Sequence, residues 1–224
     1  MGKKKNKNKE LIFYFDYVCP YSFLAWRKIN RIWQDYDLIL KAEPVLLFEI
    51  LSKYNTKHFS EIEEKKEYFY RDILRSAGKE TVGLVFPPNY PFNSLIALKA
   101  TYLMKGKPEY YTFITHLFTL CWQEGTDISN IELIKKVMKI YSLDIEAINN
   151  NEILENIKLN TDIAIKENKV FGLPFVIFEK EKFWGNDRID ILEEYLKGED
   201  FVDKKELKRA SEIQPQANYN VYSS

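Results

Sequence analysis

The stretch ELIFYFDYVCPYSFLAW, residues 10–26, decides how the rest of the chain is read. Apolar and aromatic residues run almost unbroken from Leu11 to Val18, which is the signature of a buried strand. Pro20 suits the first position of a helix, where its missing N–H leaves no bond unmade, and SFLAWRKINRIWQDY carries apolar residues at helical spacing. The turn between strand and helix holds Cys19. Ser22 stands where a second cysteine would complete a CxxC pair, so an intramolecular disulfide of that type is excluded.

Working outward, LILKAEPVLL (38–47) reads as a second strand, and Pro44 predicts that it ends there or lies at a sheet edge. From Leu51 to Asn168 the β signal gives way to amphipathic helical stretches at 60–78, 94–106, 108–125, 130–143 and 151–168. It returns in FVIF and KFW, joined by the polar turn EKEK as a hairpin, and DRIDILEEYLKG (187–198) is a closing helix. The order predicts an α/β thioredoxin-like fold with a large all-α insertion between an N-terminal βαβ unit and a C-terminal ββα unit. The expected division is residues 11–50 and 169–198 for the thioredoxin-like part and 51–168 for the insertion. Residues 1–10 are a disordered basic arm, and 199–224 form a polar tail that leaves the core or crosses a neighbour.

Thirty-three basic residues balance 33 acidic ones, so nothing in the charge points to nucleic acid or an anionic membrane. No apolar run approaches the roughly 20 residues of a membrane span, and no signal-peptide pattern is present. The expected location is cytoplasmic, where Cys19 and Cys121 stay as thiols. His58 and His116 are the only histidines, neither stands at a metal-ligand spacing, and His116 reads as a packed residue. No phosphate loop, dinucleotide fingerprint or hydrolase elbow occurs.

Six segments in order resemble one group: FYFDYVCPYSFLA, PVLL, KEYFYRDILR, NYPFNSLIALKA, CWQEGTDISN and VFGLPFVIFEKEKFWGNDRIDILE. They are similar to the glutathione-dependent 2-hydroxychromene-2-carboxylate isomerases and the kappa-class glutathione transferases. These belong to the wider set of periplasmic-type disulfide oxidoreductases with a helical insertion. Those enzymes usually carry a serine at the position of Cys19, where it steadies the thiol of bound glutathione.

The resemblance implies glutathione as cofactor, with Cys19 catalytic. Placed between strand and helix N-terminus, Cys19 is expected to have a lowered pKa, against the alternative of an inert buried thiol. Ser22 either caps the first turn or takes part in the chemistry. Pro174 matches the cis proline of such folds, leaving the backbone of Leu173 to pair with the cysteinyl part of glutathione, although an ordinary turn proline fits the residues alone. Asn186 or Asp187 is a natural N-cap, and the resemblance assigns both to the γ-glutamyl end. Arg188 pairs with a ligand or a nearby acid. Lys53 matches a basic residue toward the glycyl end. Tyr21, Asn93 and Trp122 are assigned to the second-substrate pocket, with capping for Asn93 and packing for Trp122 as the structural alternatives.

The implied activity is isomerisation of a small unsaturated aromatic keto acid by thiol addition and elimination. A glutathione transferase or monothiol thiol–disulfide oxidoreductase using Cys19 is the second reading, and a non-catalytic glutathione-binding protein the third. The resemblance also implies a homodimer and a small aromatic substrate; from the charge balance and the lack of an apolar span, neither nucleic acid nor membrane is expected as a partner.

Overall fold

The apolar run that opens the chain forms the inner strand of a sheet in the computed structural model, which describes residues 6–214. Four strands, β1 (Glu10–Phe15), β2 (Ile39–Pro44), β3 (Phe175–Phe178) and β4 (Glu181–Trp184), lie in the order β2-β1-β3-β4. β1 runs parallel to β2, with Leu11 opposite Leu40, and antiparallel to β3, with Phe13 opposite Val176; β3 and β4 are antiparallel. The first pair is joined through helix α1 (Pro20–Asp35), and α8 (Ile189–Lys197) follows β4. This is the thioredoxin-like α/β architecture the element order predicts. Between β2 and β3 come α2 (Leu47–Lys53), α3 (Glu63–Lys79), α4 (Leu95–Leu103), α5 (Tyr110–Trp122), α6 (Ile131–Ile140) and α7 (Asn151–Lys166). Among the described residues no helix is long and apolar enough to cross a membrane.

Leu11, Phe13 and Phe15 on β1 have no exposed surface, which explains the unbroken apolar run. Phe15 lies 5.6 Å from Phe118 of α5 and 6.4 Å from Trp26 of α1, ring centre to ring centre, so sheet, α1 and insertion share one core. Each such side chain contributes about 1.5–3 kcal/mol on burial. The insertion also covers the outer edge of β2. Tyr110 donates to the carbonyl of Ala42 at 2.7 Å, and Tyr111 donates to that of Leu40. An edge strand left bare would expose those acceptors to pairing with another chain.

Three expectations need correction. PVLL is not strand: β2 stops at Pro44, and Leu47 already begins α2. Of the expected basic arm, residues 6–10 pack on the fold: Asn6 is buried and donates to the carbonyl of Leu196 at 2.6 Å, and β1 starts at Glu10. Residues 1–5 lie outside the described residues, as do 215–224 of the tail. Within the tail, Lys204–Ser211 forms α9, capped by Asp203, with no buried residue. Finally, the hairpin turn is only Glu179 and Lys180, because Glu181 and Lys182 pair with Phe178 and Ile177.

Candidate active site

Cys19 is the N-cap of α1, held in extended backbone, and Pro20 opens the helix as its chemistry dictates. The Cys19 thiol donates to the carbonyl of Leu173 at 3.5 Å, across a separation of 154 residues, and the Leu173–Pro174 peptide is cis. Behind the thiol sits the carboxylate of Asp16, which accepts from the N–H of Leu47 at 3.0 Å and of Val18 at 3.2 Å. Ser22 is fully buried, and its hydroxyl has no hydrogen-bond partner.

Burial pushes the Cys19 thiol up to about 11 from an ordinary 9; the N–H groups of Ser22 and Tyr21 oppose the rise and the Asp16 charge adds to it. The expected lowered pKa is therefore overturned. At a helix start the thiolate gains from N–H groups only what desolvation leaves, and this sulfur is covered. Asp16 is likewise raised by burial, offset by the N–H groups of Leu47 and Val18 and by the Ser94 hydroxyl.

Cys19 opens onto a cavity of about 570 Å³ whose wall includes Leu47, Leu51, Phe59, Phe69, Phe171 and Trp184. Lys57, His58 and Lys65 supply its polar and charged groups, with Tyr54 and Thr56 beside them. A second hollow of about 490 Å³ meets the first at Tyr21, Leu173 and Trp184, and is lined by Asp72, Ser76, Asn186, Asp187 and Arg188. The Cys19 thiol thus lies beside the junction of an aromatic chamber and a polar groove.

A family model described as a DSBA-like thioredoxin domain matches residues 10–197, spanning the sheet, the insertion and both hollows. The chain belongs to the DSBA-like thioredoxin domain family. A curated relative, the 2-hydroxychromene-2-carboxylate isomerase of Pseudomonas putida, is 29% identical over 187 residues, covering 81% of this chain and 91% of the relative. The enzyme of the same name from Sphingobium xenophagum is 26% identical over 198 residues, 84% of this chain and 98% of that one. A solved 2-hydroxychromene-2-carboxylate isomerase superposes with a TM-score of 0.77 at 25% identity, covering 92% of this chain and 100% of its own. The resemblance read from the six segments agrees with these relatives.

Within this DSBA-like domain the sequence-predicted residues are brought together only in part. Cys19, Tyr21 and Leu173 line the aromatic cavity, and Tyr21, Leu173, Asn186 and Asp187 line the polar groove. Tyr21 donates its hydroxyl to Asp72 of α3. Neither Asn186 nor Asp187 caps α8, whose N-cap is Arg188; both lie in a short 3-10 turn, Asn186–Arg188. Asn186 is buried and donates to Glu80 at 2.7 Å, while its side-chain oxygen has no partner. Asp187 and Arg188 pair with each other at 3.0 Å on the surface.

Three pocket assignments fail geometrically. Trp122 has no exposed surface and donates to the carbonyl of Tyr17 at 2.8 Å, so it packs the insertion onto the strand end. Asn93 accepts the N–H of Leu95 at 3.0 Å, just before Ser94 as the N-cap of α4, and lines a different hollow, of about 560 Å³, that Asp16 also lines. Lys53, expected toward the glycyl end of glutathione, ends α2 on the surface outside the wall of either hollow, and the lysines that line the aromatic cavity are Lys57 and Lys65. His116 lies 3.2 Å from the Tyr141 hydroxyl, a packing role as expected. Sequence reading weighed His58 only as a metal ligand and gave Phe59 and Phe69 no role in the site. The only signal was the cluster of aromatics flanking a histidine in a loop, and only folding brings it to the cavity that Cys19 also lines.

Proposed function

We propose that the protein is a glutathione-dependent isomerase of small unsaturated aromatic keto acids, in the manner of the 2-hydroxychromene-2-carboxylate isomerases it is similar to. The observation that carries this reading is a buried Cys19 thiol hydrogen-bonded to the Leu173 carbonyl, where an aromatic chamber meets a polar groove.

The residues fit a zwitterionic tripeptide thiol. The opposed charges of Asp187 and Arg188 and the unpartnered oxygen of buried Asn186 match an amino-acid terminus, and the Leu173 backbone suits a peptide bond. When bound, glutathione would supply the thiolate that adds to the unsaturated keto acid and leaves again. The chain's part is to hold, orient and enclose. Cys19 takes the role of the family serine, offering S–H as a donor. Phe59, Phe69 and Trp184 suit a flat ring, and Lys57 and Lys65 suit a carboxylate at the rim.

The same observation weighs against the thiol-transfer reading. That chemistry needs a Cys19 thiolate, and a pKa near 11 leaves very little of it at neutral pH. Two substitutions separate the readings. Cys19→Ser keeps a donor and is expected to retain isomerisation of 2-hydroxychromene-2-carboxylate, followed by absorbance with and without reduced glutathione, while Cys19→Ala loses about 100-fold. Loss of all activity in Cys19→Ser, together with glutathionylation of the unmodified protein by glutathione disulfide, would move the assignment to thiol transfer. Glutathione binding without turnover by the unmodified protein would leave a binding protein.

A further inference from the structure

The aromatic cavity and the polar groove share three residues, Tyr21, Leu173 and Trp184, and the three are restrained very differently. Leu173 is buried, its carbonyl accepts the Cys19 thiol at 3.5 Å, and a cis bond to Pro174 follows it. Tyr21 is half-buried and donates its hydroxyl to Asp72. Trp184, the last residue of the edge strand β4, is 52% exposed. The other three tryptophans are each fixed through the indole N–H: Trp26 on the Thr115 hydroxyl at 2.9 Å, Trp33 on the Asn30 side-chain oxygen at 3.2 Å, and Trp122 on the Tyr17 carbonyl at 2.8 Å. Among the described residues Trp184 makes no such bond, so packing alone holds its ring. Phe171 meets it edge-on at 4.8 Å between ring centres. Gly172 lies against the indole edge, where a Cβ would stand 2.7 Å from Nε1 and 3.2 Å from Cε2, so only a glycine lets the ring come this close to the chain.

Apolar surface left in water is unfavourable, and a large aromatic side chain gains the most from being covered. At Trp184 two hollows, of about 570 and 490 Å³, each offer a place for a molecule that would cover it. With a flat aromatic acid in the chamber and a tripeptide thiol in the groove, both pack against the same ring. Whichever binds first covers part of the indole and fixes it; the second meets a wall already ordered and loses less freedom on binding. Such coupling is reciprocal by thermodynamic necessity. We propose that Trp184 couples the two hollows, so that a glutathione-type tripeptide in the groove and an aromatic acid in the chamber strengthen each other's binding through this one ring. This rests on the reading of the groove as a tripeptide site and of the chamber as an aromatic-acid site. The indole also borders a third hollow of about 510 Å³, with Phe183, Ile191 and Phe201, and exposure on that side would be indifferent to either ligand.

Two probes that do not react with each other read the coupling by calorimetry: S-methylglutathione, which has no thiol to add, and trans-cinnamate. The Kd of each is measured alone and with the other saturating, and the two ratios must agree. Tightening of about 10-fold is expected in the unmodified protein, within the usual range for coupled sites. Trp184→Leu keeps an apolar side chain and removes the ring, while Gly172→Ala keeps the ring and forces it away from the chain. A cooperative urea transition checks that each is folded, and in both the ratio is expected to fall below about 2-fold, since typical couplings start near 5-fold. A second measurement needs no variant. Trp26 and Trp122 are buried and Trp184 is the most exposed of the four tryptophans, so acrylamide quenching of the unmodified protein should fall when each probe binds. If both probes bind but the ratio stays below about 2-fold, the coupling is overturned and the two-site reading stands. Coupling retained in either folded variant overturns it too, as does quenching that neither probe reduces, which would turn the exposed ring toward the third hollow. Failure of either probe to bind the unmodified protein removes the two-site reading, and the coupling with it.

Discussion

At Cys19 two effects of known size oppose each other. A helix N-terminus offers a negative charge at most about 2 kcal/mol. The rise from 9 to about 11 is roughly 3 kcal/mol against the thiolate after every local donor is included, so desolvation wins. Alkylation of Cys19 by iodoacetamide, in a Cys121→Ser background, is therefore expected to be slow at pH 7 with a midpoint near 11; a midpoint below about 8.5 would restore the redox reading. His58 shifts the other way. Its folded pKa of about 4 lies below the ordinary 6.5, so between these values the unfolded chain binds a proton that the folded chain refuses. Its contribution to stability is complete above pH 6.5 and is lost as pH falls toward 4. Urea midpoints at pH 7 and pH 4.5 should show a smaller drop in His58→Asn than in the unmodified protein, and equal drops would assign the acid sensitivity to other groups. Cys19 as the chemical centre was legible in CPYS; the state of its proton was not, because burial is a property of what folds over it.

Among the elements packed in the core, α2 is one that sequence reading misses, and its start explains why. Leu46 is the N-cap and has no side chain able to cap. The caps arrive from elsewhere: Asp16 accepts the N–H of Leu47 at 3.0 Å, and Thr161 of α7 accepts the N–H of Leu46 at 3.0 Å. Thr161 has no exposed surface and donates in turn to the carbonyl of Ile157. Thr161→Val, which keeps shape and removes the acceptor, is expected to cost about 1–2 kcal/mol in urea unfolding. A change below about 0.3 kcal/mol would mean the helix start does not depend on it. By contrast the end of β2 was readable, since a proline cannot donate to a ladder wherever it lies. The hairpin was readable for the same local reason, although its turn was drawn two residues too long.

At the scale of the molecule, the insertion is fastened to the thioredoxin-like unit beside the polar groove. Lys28 of α1 lies 3.1 Å from Glu80, just past α3, and 3.2 Å from Asp190 of α8, while Glu80 also accepts from Asn186. Lys28 and Glu80 are each less than one-fifth exposed. Removing one member leaves charge and amide without partners, so Glu80→Ala is expected to cost about 1–3 kcal/mol in urea unfolding. On the proposed glutathione reading it should also weaken glutathione binding by calorimetry, since Asn186 loses its anchor in the groove wall. Unchanged affinity would separate the clamp from the ligand site. Trp122 belongs to the same scale. Its indole N–H closes the seam at Tyr17, and a tryptophan that fills a seam cannot wall a pocket.

By itself the sequence determined the four strands, the long helices between and after them, and the turn that carries Cys19, because hydrophobic period, proline and turn chemistry act over a few neighbouring residues. The tertiary structure decided which side of that thiol faces what. It assigned Lys57, Lys65 and His58 to the cavity instead of Lys53 and Trp122, and turned Asn93 to another hollow. It also raised the pKa of Cys19. Each of those depends on contacts between segments far apart in the chain, and on the desolvation those contacts impose, which no local pattern encodes.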